Sequence, residues 1–130
     1  LNLVIFMLFT GATSFNQPLN WDTINVINMS YMFGYATLFN QPLNWDTSKV
    51  TNMRSMFTDA ISFDQPIRDW DTSNVTNMNS MFLHAESFNQ DISNWNTDNV
   101  SDYVYFATES ALTSANAPAK NGTKLPTTKQ

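Results

Sequence analysis

Asp22, Asp46 and Asp71 stand 24 and 25 residues apart. Carboxylates brought into register would form the oxygen donor set that calcium takes. The next member of that series, however, is Asn96, and a parallel series runs Asn16, Asn40, Asp64 and Asn89. Positions that exchange Asp for Asn keep a side-chain acceptor and discard the charge, which is what a turn requires and a cation does not. Two methionine series, Met29/Met53/Met78 and Met32/Met56/Met81, offer thioethers, but they run in phase with aromatic residues and read as core filler. A threonine series, Thr23, Thr47, Thr72 and Thr97, would bind ice if it formed a flat exposed array. His84 is the single histidine, and Tyr35 and Asp59 hold its place in other copies. No Ser/His/Asp or Cys/His set recurs, there is no cysteine, and three glycines build no phosphate loop. The sequence therefore predicts no catalytic, metal or cofactor residue, and a chain that is not an enzyme.

What places these residues in series is an internal repeat, and a fixed period decides architecture before any local reading does. The unit F-x-x-A-x-x-F-N-Q-P-L-N-W-D-T-S-x-V-T-N-M-x-x-M starts at Phe9, Phe33, Phe57 and Phe82. Phe15, Phe39, Phe63 and Phe88 align within it, as do Gln17, Gln41, Gln65 and Gln90. All four tryptophans, Trp21, Trp45, Trp70 and Trp95, fall in one series, each followed five residues later by Val. In the third and fourth copies one extra residue lies between Phe and Trp. The segment before Trp thus tolerates a bulge or looser turn, while the segment after it is fixed by packing.

A single copy cannot bury its own Trp, Met and Phe; stacking the copies turns each series into a ladder about 4.8 Å in step. The alternation in Leu19-Asn20-Trp21 and Leu43-Asn44-Trp45 predicts a short strand in each coil, with Pro18, Pro42 and Pro66 just before it. From Val50, the spacing of Met53, Met56, Phe57 and Ala60 predicts a helical or 3-10 turn, with Thr47 or Ser48 as its N-cap. A second short strand around Val-Thr-Asn-Met is the alternative for that half. The expectation is an α/β repeat solenoid, one short parallel strand and one helical turn per 24–25-residue coil. The Gln series and the series Asn28, Asn52 and Asn77 are expected to bond along the stack as amide ladders.

The string F-N-Q-P-L-N-W-D-T-S-K-V-T-N-M-R-S-M-F at residues 39–57 resembles the repeats of BspA-like leucine-rich-repeat surface proteins. More narrowly, it is similar to the DUF285 repeats of mycoplasma and other bacterial surface proteins, abundant also in microalgae. The likeness covers residues 9–106. It implies a leucine-rich-repeat-like solenoid, an extracellular or cell-surface location and a role in adhesion or protein interaction, and it transfers no catalytic residue. Asn96 in the Asp series, Tyr103 in the Met series and Ala107 in the Phe series depart from the pattern, so the last coil is degenerate or a cap.

The ends differ from the middle. Residues 1–9 are nearly all apolar but too short to span a membrane. Because Phe9, Ala12 and Phe15 already keep the frame, they read as a partial coil, with a cleaved signal or anchor as the alternative. We divide the chain into a repeat region, 1–106, and a polar region, 107–130, that is a tail, a linker or a C-terminal cap. Of six basic residues, Lys120, Lys124 and Lys129 lie in that last region; residues 1–110 carry eleven acids against three bases. An overall charge of −5 argues against a nucleic-acid partner, which needs a basic surface. Four sequons, at Asn28, Asn74, Asn99 and Asn121, are expected by chance in a chain so rich in Asn and Thr.

Residues demanded by packing carry no binding specificity, so partner contacts are sought where the copies differ. Those positions include Tyr31, Tyr35, Arg54, Asp59, His84 and Tyr105. The functional expectation is a non-catalytic surface or secreted module that binds a protein or glycan. The alternatives are a structural or linker subunit that stacks end to end with its neighbours, and, more remotely, ice binding through the Thr series.

Overall fold

The computed structural model describes residues 3–129. It overturns the expected α/β solenoid of leucine-rich-repeat type: among the described residues there is no α-helix and no continuous parallel sheet. Nearly all of the chain is irregular. Two short pairings are the only sheets among those residues: β1 (Leu3–Val4) lies parallel to β2 (Val26–Asn28), and β3 (Ala119–Lys120) lies antiparallel to β4 (Thr123–Lys124). The 3-10 helix, Ser114–Asn116, falls outside the repeats.

The helical half fails for a reason visible in its hydrogen bonds. An α-helix needs each N–H to reach the carbonyl four residues back. Here only alternate groups stay local: Met32 N–H donates to Met29, Gly34 to Tyr31 and Ala36 to Phe33. The intervening N–H groups of Met29, Tyr31, Phe33 and Tyr35 cross to the carbonyls of Asn52, Arg54, Met56 and Thr58 in the next copy, at 2.7–2.9 Å. The same four bonds run from the first copy (Ile5, Met7, Phe9, Gly11), the third (Met53, Ser55, Phe57, Asp59) and the fourth (Met78, Ser80, Phe82, His84). A left-handed residue recurs every four positions, at Tyr31 and Tyr35 (φ 57° and 60°), Ser55 and Asp59 (52° and 54°), and Ser80 and His84 (57° and 58°). That conformation interrupts a right-handed helix. The three- and four-residue spacing of Met, Phe and Ala is therefore the period of a chain of tight turns, each turn opening a donor sideways.

The strand expected at Leu19–Trp21 is likewise absent. Parallel bridges link Asn28, Asn52, Asn77 and Asp102 instead, in the Val-Thr-Asn-Met segment. Each bridge is one residue wide, because the turns begin immediately after it. Val50 N–H closes on the Thr47 carbonyl at 3.0 Å, so Thr47 and Ser48 begin a turn and not a helix.

The core is a set of aromatic ladders. Phe9, Phe33, Phe57 and Phe82 stack at ring-centroid steps of 5.5–5.8 Å. Phe15, Phe39, Phe63 and Phe88 stack beside them at 5.8–6.1 Å, and within each copy the two phenyl rings lie 4.1–4.3 Å apart. Met29, Met32, Met53, Met56, Met78 and Met81 are fully buried among them. Trp45, Trp70 and Trp95 are buried, and their indole N–H groups donate to the carbonyls of Leu19, Leu43 and Ile67 in the preceding copy, at 3.0–3.1 Å. The extra residue of the third and fourth copies closes a local turn, Trp70 N–H to Ile67 and Trp95 N–H to Ile92. The Trp position is held while the chain before it lengthens.

At the far end Phe106 meets Phe82 edge-on, with the rings at 83°, which ends the face-to-face series. Residues 107–129 then fold over the fourth copy. Leu112, Ala117 and Leu125 join the buried core, the Thr97 hydroxyl donates to Ala119, and Ala107 and Thr127 form a parallel bridge. The Lys120 ammonium donates to the Val100 carbonyl. The turn Asn121-Gly122 (φ 51° and 81°) joins β3 to β4, the two left-handed residues of a tight hairpin.

Candidate interaction surface

The polar series are accounted for by the backbone. Asp22, Asp46 and Asp71 each accept the N–H two residues on, from Ile24, Ser48 and Ser73, and Asn96 accepts from Asp98 in the same way. An acceptor is all the position uses, so Asp and Asn exchange. The Ser48 hydroxyl on Asp46, then its N–H, hold that carboxyl below the ordinary value of 3.8. Ser73 does the same for Asp71, and Ser93 for Asp91. Among the described residues no group of three His, Cys, Asp or Glu could hold a metal ion.

The amide ladders take a different form from the one expected. Gln41, Gln65 and Gln90 do not bond to one another: each Nε2 donates to Asn16, Asn40 or Asp64 of the preceding copy, through both the side-chain and the main-chain oxygen. Asn28, Asn52 and Asn77 accept locally, from the N–H groups of Ser30, Arg54 and Asn79. Stacking is therefore carried by the main chain together with the Gln amides, while the Asn28, Asn52 and Asn77 side chains brace local turns.

The Thr series is buried. Thr23, Thr47 and Thr72 donate their hydroxyls to the carbonyls of Asp46, Asp71 and Asn96 at 2.8–3.0 Å. This column presents no exposed array for ice, because its hydroxyls are spent between copies.

The residues that differ between copies fall on one strip. Five of the six singled out in the sequence (Tyr31, Tyr35, Asp59, His84 and Tyr105) occupy the two left-handed columns. One column runs Gly11, Tyr35, Asp59, His84 and Glu109; the other runs Met7, Tyr31, Ser55, Ser80 and Tyr105. Within the first, His84 Nδ1 lies 3.2 Å from Asp59 Oδ1. Tyr35 and Tyr105 are 49% and 59% exposed, so the strip offers two free aromatic side chains. Tyr31 is in the same column as Tyr105 but three copies away, and the two do not meet. Arg54, the sixth, is exposed one residue before Ser55 and is not one of the left-handed residues.

Sequence reasoning passed over Leu38, which is exposed; Tyr103, the departure in the Met series, and Val104, which differs from its counterparts, are exposed as well. Tyr103 and Val104 take the places of Met78 and Asn79. Two clefts flank the Pro-to-Trp segment. One, about 520 Å³, lies between Pro18–Trp21 and Gln41–Trp45; the other, about 380 Å³, lies between Leu43–Trp45 and Pro66–Trp70.

The family model described as "Mycoplasma protein of unknown function, DUF285" matches residues 4–120. The chain belongs to the DUF285 family. Neither the curated proteins nor the solved structures returned a match. The DUF285 match takes in all four copies, the fold-over as far as Lys120, and the strip. Among the described residues no helix is long and apolar enough to cross a membrane.

Proposed function

We propose that this DUF285 chain is a non-catalytic interaction module, displayed at a cell surface or secreted, that holds a protein or glycan partner along the strip of left-handed columns. One observation carries the reading. The buried columns repeat Phe, Met, Trp and Thr almost without change, whereas the strip runs Tyr35, Asp59, His84, Glu109 and Tyr31, Ser55, Ser80, Tyr105. Ser55 and Ser80 are buried, but Tyr35, Tyr105 and their polar neighbours Asp59, His84 and Glu109 are not fixed by the core, and exposed aromatics with mixed polar groups are what recognition uses. The likeness of the repeat string to BspA-like surface proteins supports the location.

Protease shaving of intact source cells tests the location: the chain is expected to be cleaved while cytoplasmic markers survive, and a protected chain contradicts the reading. Binding is tested on protein and glycan arrays with the native chain and a Tyr35→Ala/Asp59→Ala/His84→Ala variant. The native chain is expected to mark discrete ligands and the variant to lose them. Retention of every ligand by a folded variant places the contact elsewhere.

A further inference from the structure

We infer that the two clefts beside the Pro-to-Trp segments are sugar subsites, which together take successive rings of a linear, uncharged oligosaccharide. This site lies apart from the strip and does not depend on it. The clefts arise where the stack loses its main-chain rungs. Among the described residues no main-chain bond crosses between coils within 17–22, 41–46 or 65–71. Pro18, Pro42 and Pro66 have no N–H to give, and the carbonyls of Leu19 and Leu43 already accept the indole N–H of the next coil.

The clefts are consequently lined with polar groups that the protein does not meet. The N–H groups of Leu43, Asn44 and Trp45 have no acceptor among the described residues, although Leu43 and Trp45 are only 1% and 6% exposed. A main-chain donor so buried requires a partner. Asn44 and Trp45 line both clefts, and Asn20 lines the larger. The exposed carboxamides of Asn20 and Asn44 also make no bond to a described residue, whereas Asn94, before the fourth Trp, donates to the Arg68 carbonyl. That bond and the 2.8 Å Arg68–Asp91 ion pair tie the third and fourth segments together, so the run of subsites ends there.

These groups select the occupant. A peptide strand needs N–H and C=O alternating along an unbroken edge. Here proline removes a donor and the indole takes an acceptor on adjacent residues, Pro42 and Leu43. Hydroxyls donate and accept in any direction, so a sugar suits isolated amides and carboxamides. The exposed prolines offer an apolar rest for the C–H face of a sugar ring. No ionisable side chain lines the larger cleft. In the smaller, Arg68 is paired with Asp91, and the Asp69 carboxylate accepts hydroxyls while repelling anionic sugars. Volumes of about 520 and 380 Å³ fall within the range of small-ligand sites, about 300–1,000 Å³. The clefts lie one coil apart, and coils stack with ring steps of 5.5–6.3 Å, close to the width of a pyranose.

The test titrates the isotopically labelled full chain with cellotetraose, maltotetraose, laminaritetraose and chitotetraose, and with tetragalacturonate as the charged control. At least one neutral tetraose is expected to shift the Leu43, Asn44 and Trp45 amides and the Asn20 and Asn44 side-chain amides saturably. Asn20→Ala/Asn44→Ala changes two exposed side chains outside the core, keeps the Tm, and is expected to bind about tenfold more weakly or worse. The Tyr35→Ala/Asp59→Ala/His84→Ala variant should bind as the native chain does, which separates these clefts from the strip. Failure of all the neutral tetraoses to shift these amides overturns the inference. So does undiminished binding by Asn20→Ala/Asn44→Ala, equal binding of tetragalacturonate, or the same shifts produced by tetra-alanine.

Discussion

The first and fourth copies are built on one pattern, yet among the described residues only the fourth has its outer face covered. Residues 107–129 lie over the fourth, bringing Leu112, Ala117 and Leu125 into the core and giving the Thr97 hydroxyl a carbonyl. Nothing among the described residues lies over the first, where Phe9 and Phe15 are only partly buried and Trp21 is open. In a stack, a side chain gains its stabilisation from two neighbours, above and below, so the same residue type is worth less at a bare end.

Substitution along the Trp series should break that equivalence most strongly. Trp95→Ala removes a buried indole and its bond to Ile67, and should cost about 3–5 kcal/mol in denaturant unfolding. Trp21→Ala should cost about 1–2 kcal/mol, the value of a side chain with one neighbour. The fold-over is the next point of attack. Leu125→Ala should cost about 2–4 kcal/mol, and Leu8→Ala on the open face no more than about 0.5 kcal/mol; equal losses would show that both ends are covered in solution.

A smaller effect sharpens the account of the turns. Ser55 is buried with φ 52°, a conformation that favours glycine, so Ser55→Gly should stabilise by about 0.5–1 kcal/mol, read as a rise in Tm. The smallest effect concerns acid. Asp46, Asp71 and Asp91 are held below the ordinary 3.8 by their Ser partners. Groups with a depressed folded-state pKa contribute stability that is complete above the unfolded value and is lost as pH falls through the folded one. Unfolding midpoints should therefore be level near neutrality and decline below about pH 4. Asp46→Asn, which keeps the acceptor as Asn96 does, should slightly flatten that decline.

The repeat, its core columns and its one permitted insertion were legible, because Phe, Trp and Met recur at fixed steps and only burial imposes that. Asp22, Asp46 and Asp71 were legible as turn acceptors because Asn96 stands in for them. The secondary structure was not. Met53, Met56 and Ala60 carry the spacing of a helix, and that spacing is also made by turns four residues long. What separates the two is the sign of φ at Ser55 and Asp59, and neither Ser nor Asp announces a left-handed backbone; Gly11, in the same column as Asp59, is the sole hint. The strip was named residue by residue without its reason, which is that five of the six residues share a left-handed backbone; the sequence does not show which of those positions are exposed, as Tyr35 and Tyr105 are, and which are buried, as Ser55 and Ser80 are.

The central claim is that alternate main-chain donors leave their own coil and join the copies. A long-range HNCO spectrum reads coupling directly across N–H···O=C bonds. It should correlate the nitrogen of Ser55 with the carbonyl carbon of Asn79, and that of Phe57 with that of Met81, 2.9 Å bonds in both cases. Correlations from residues 53–59 to carbonyls four places back in the same copy would contradict it.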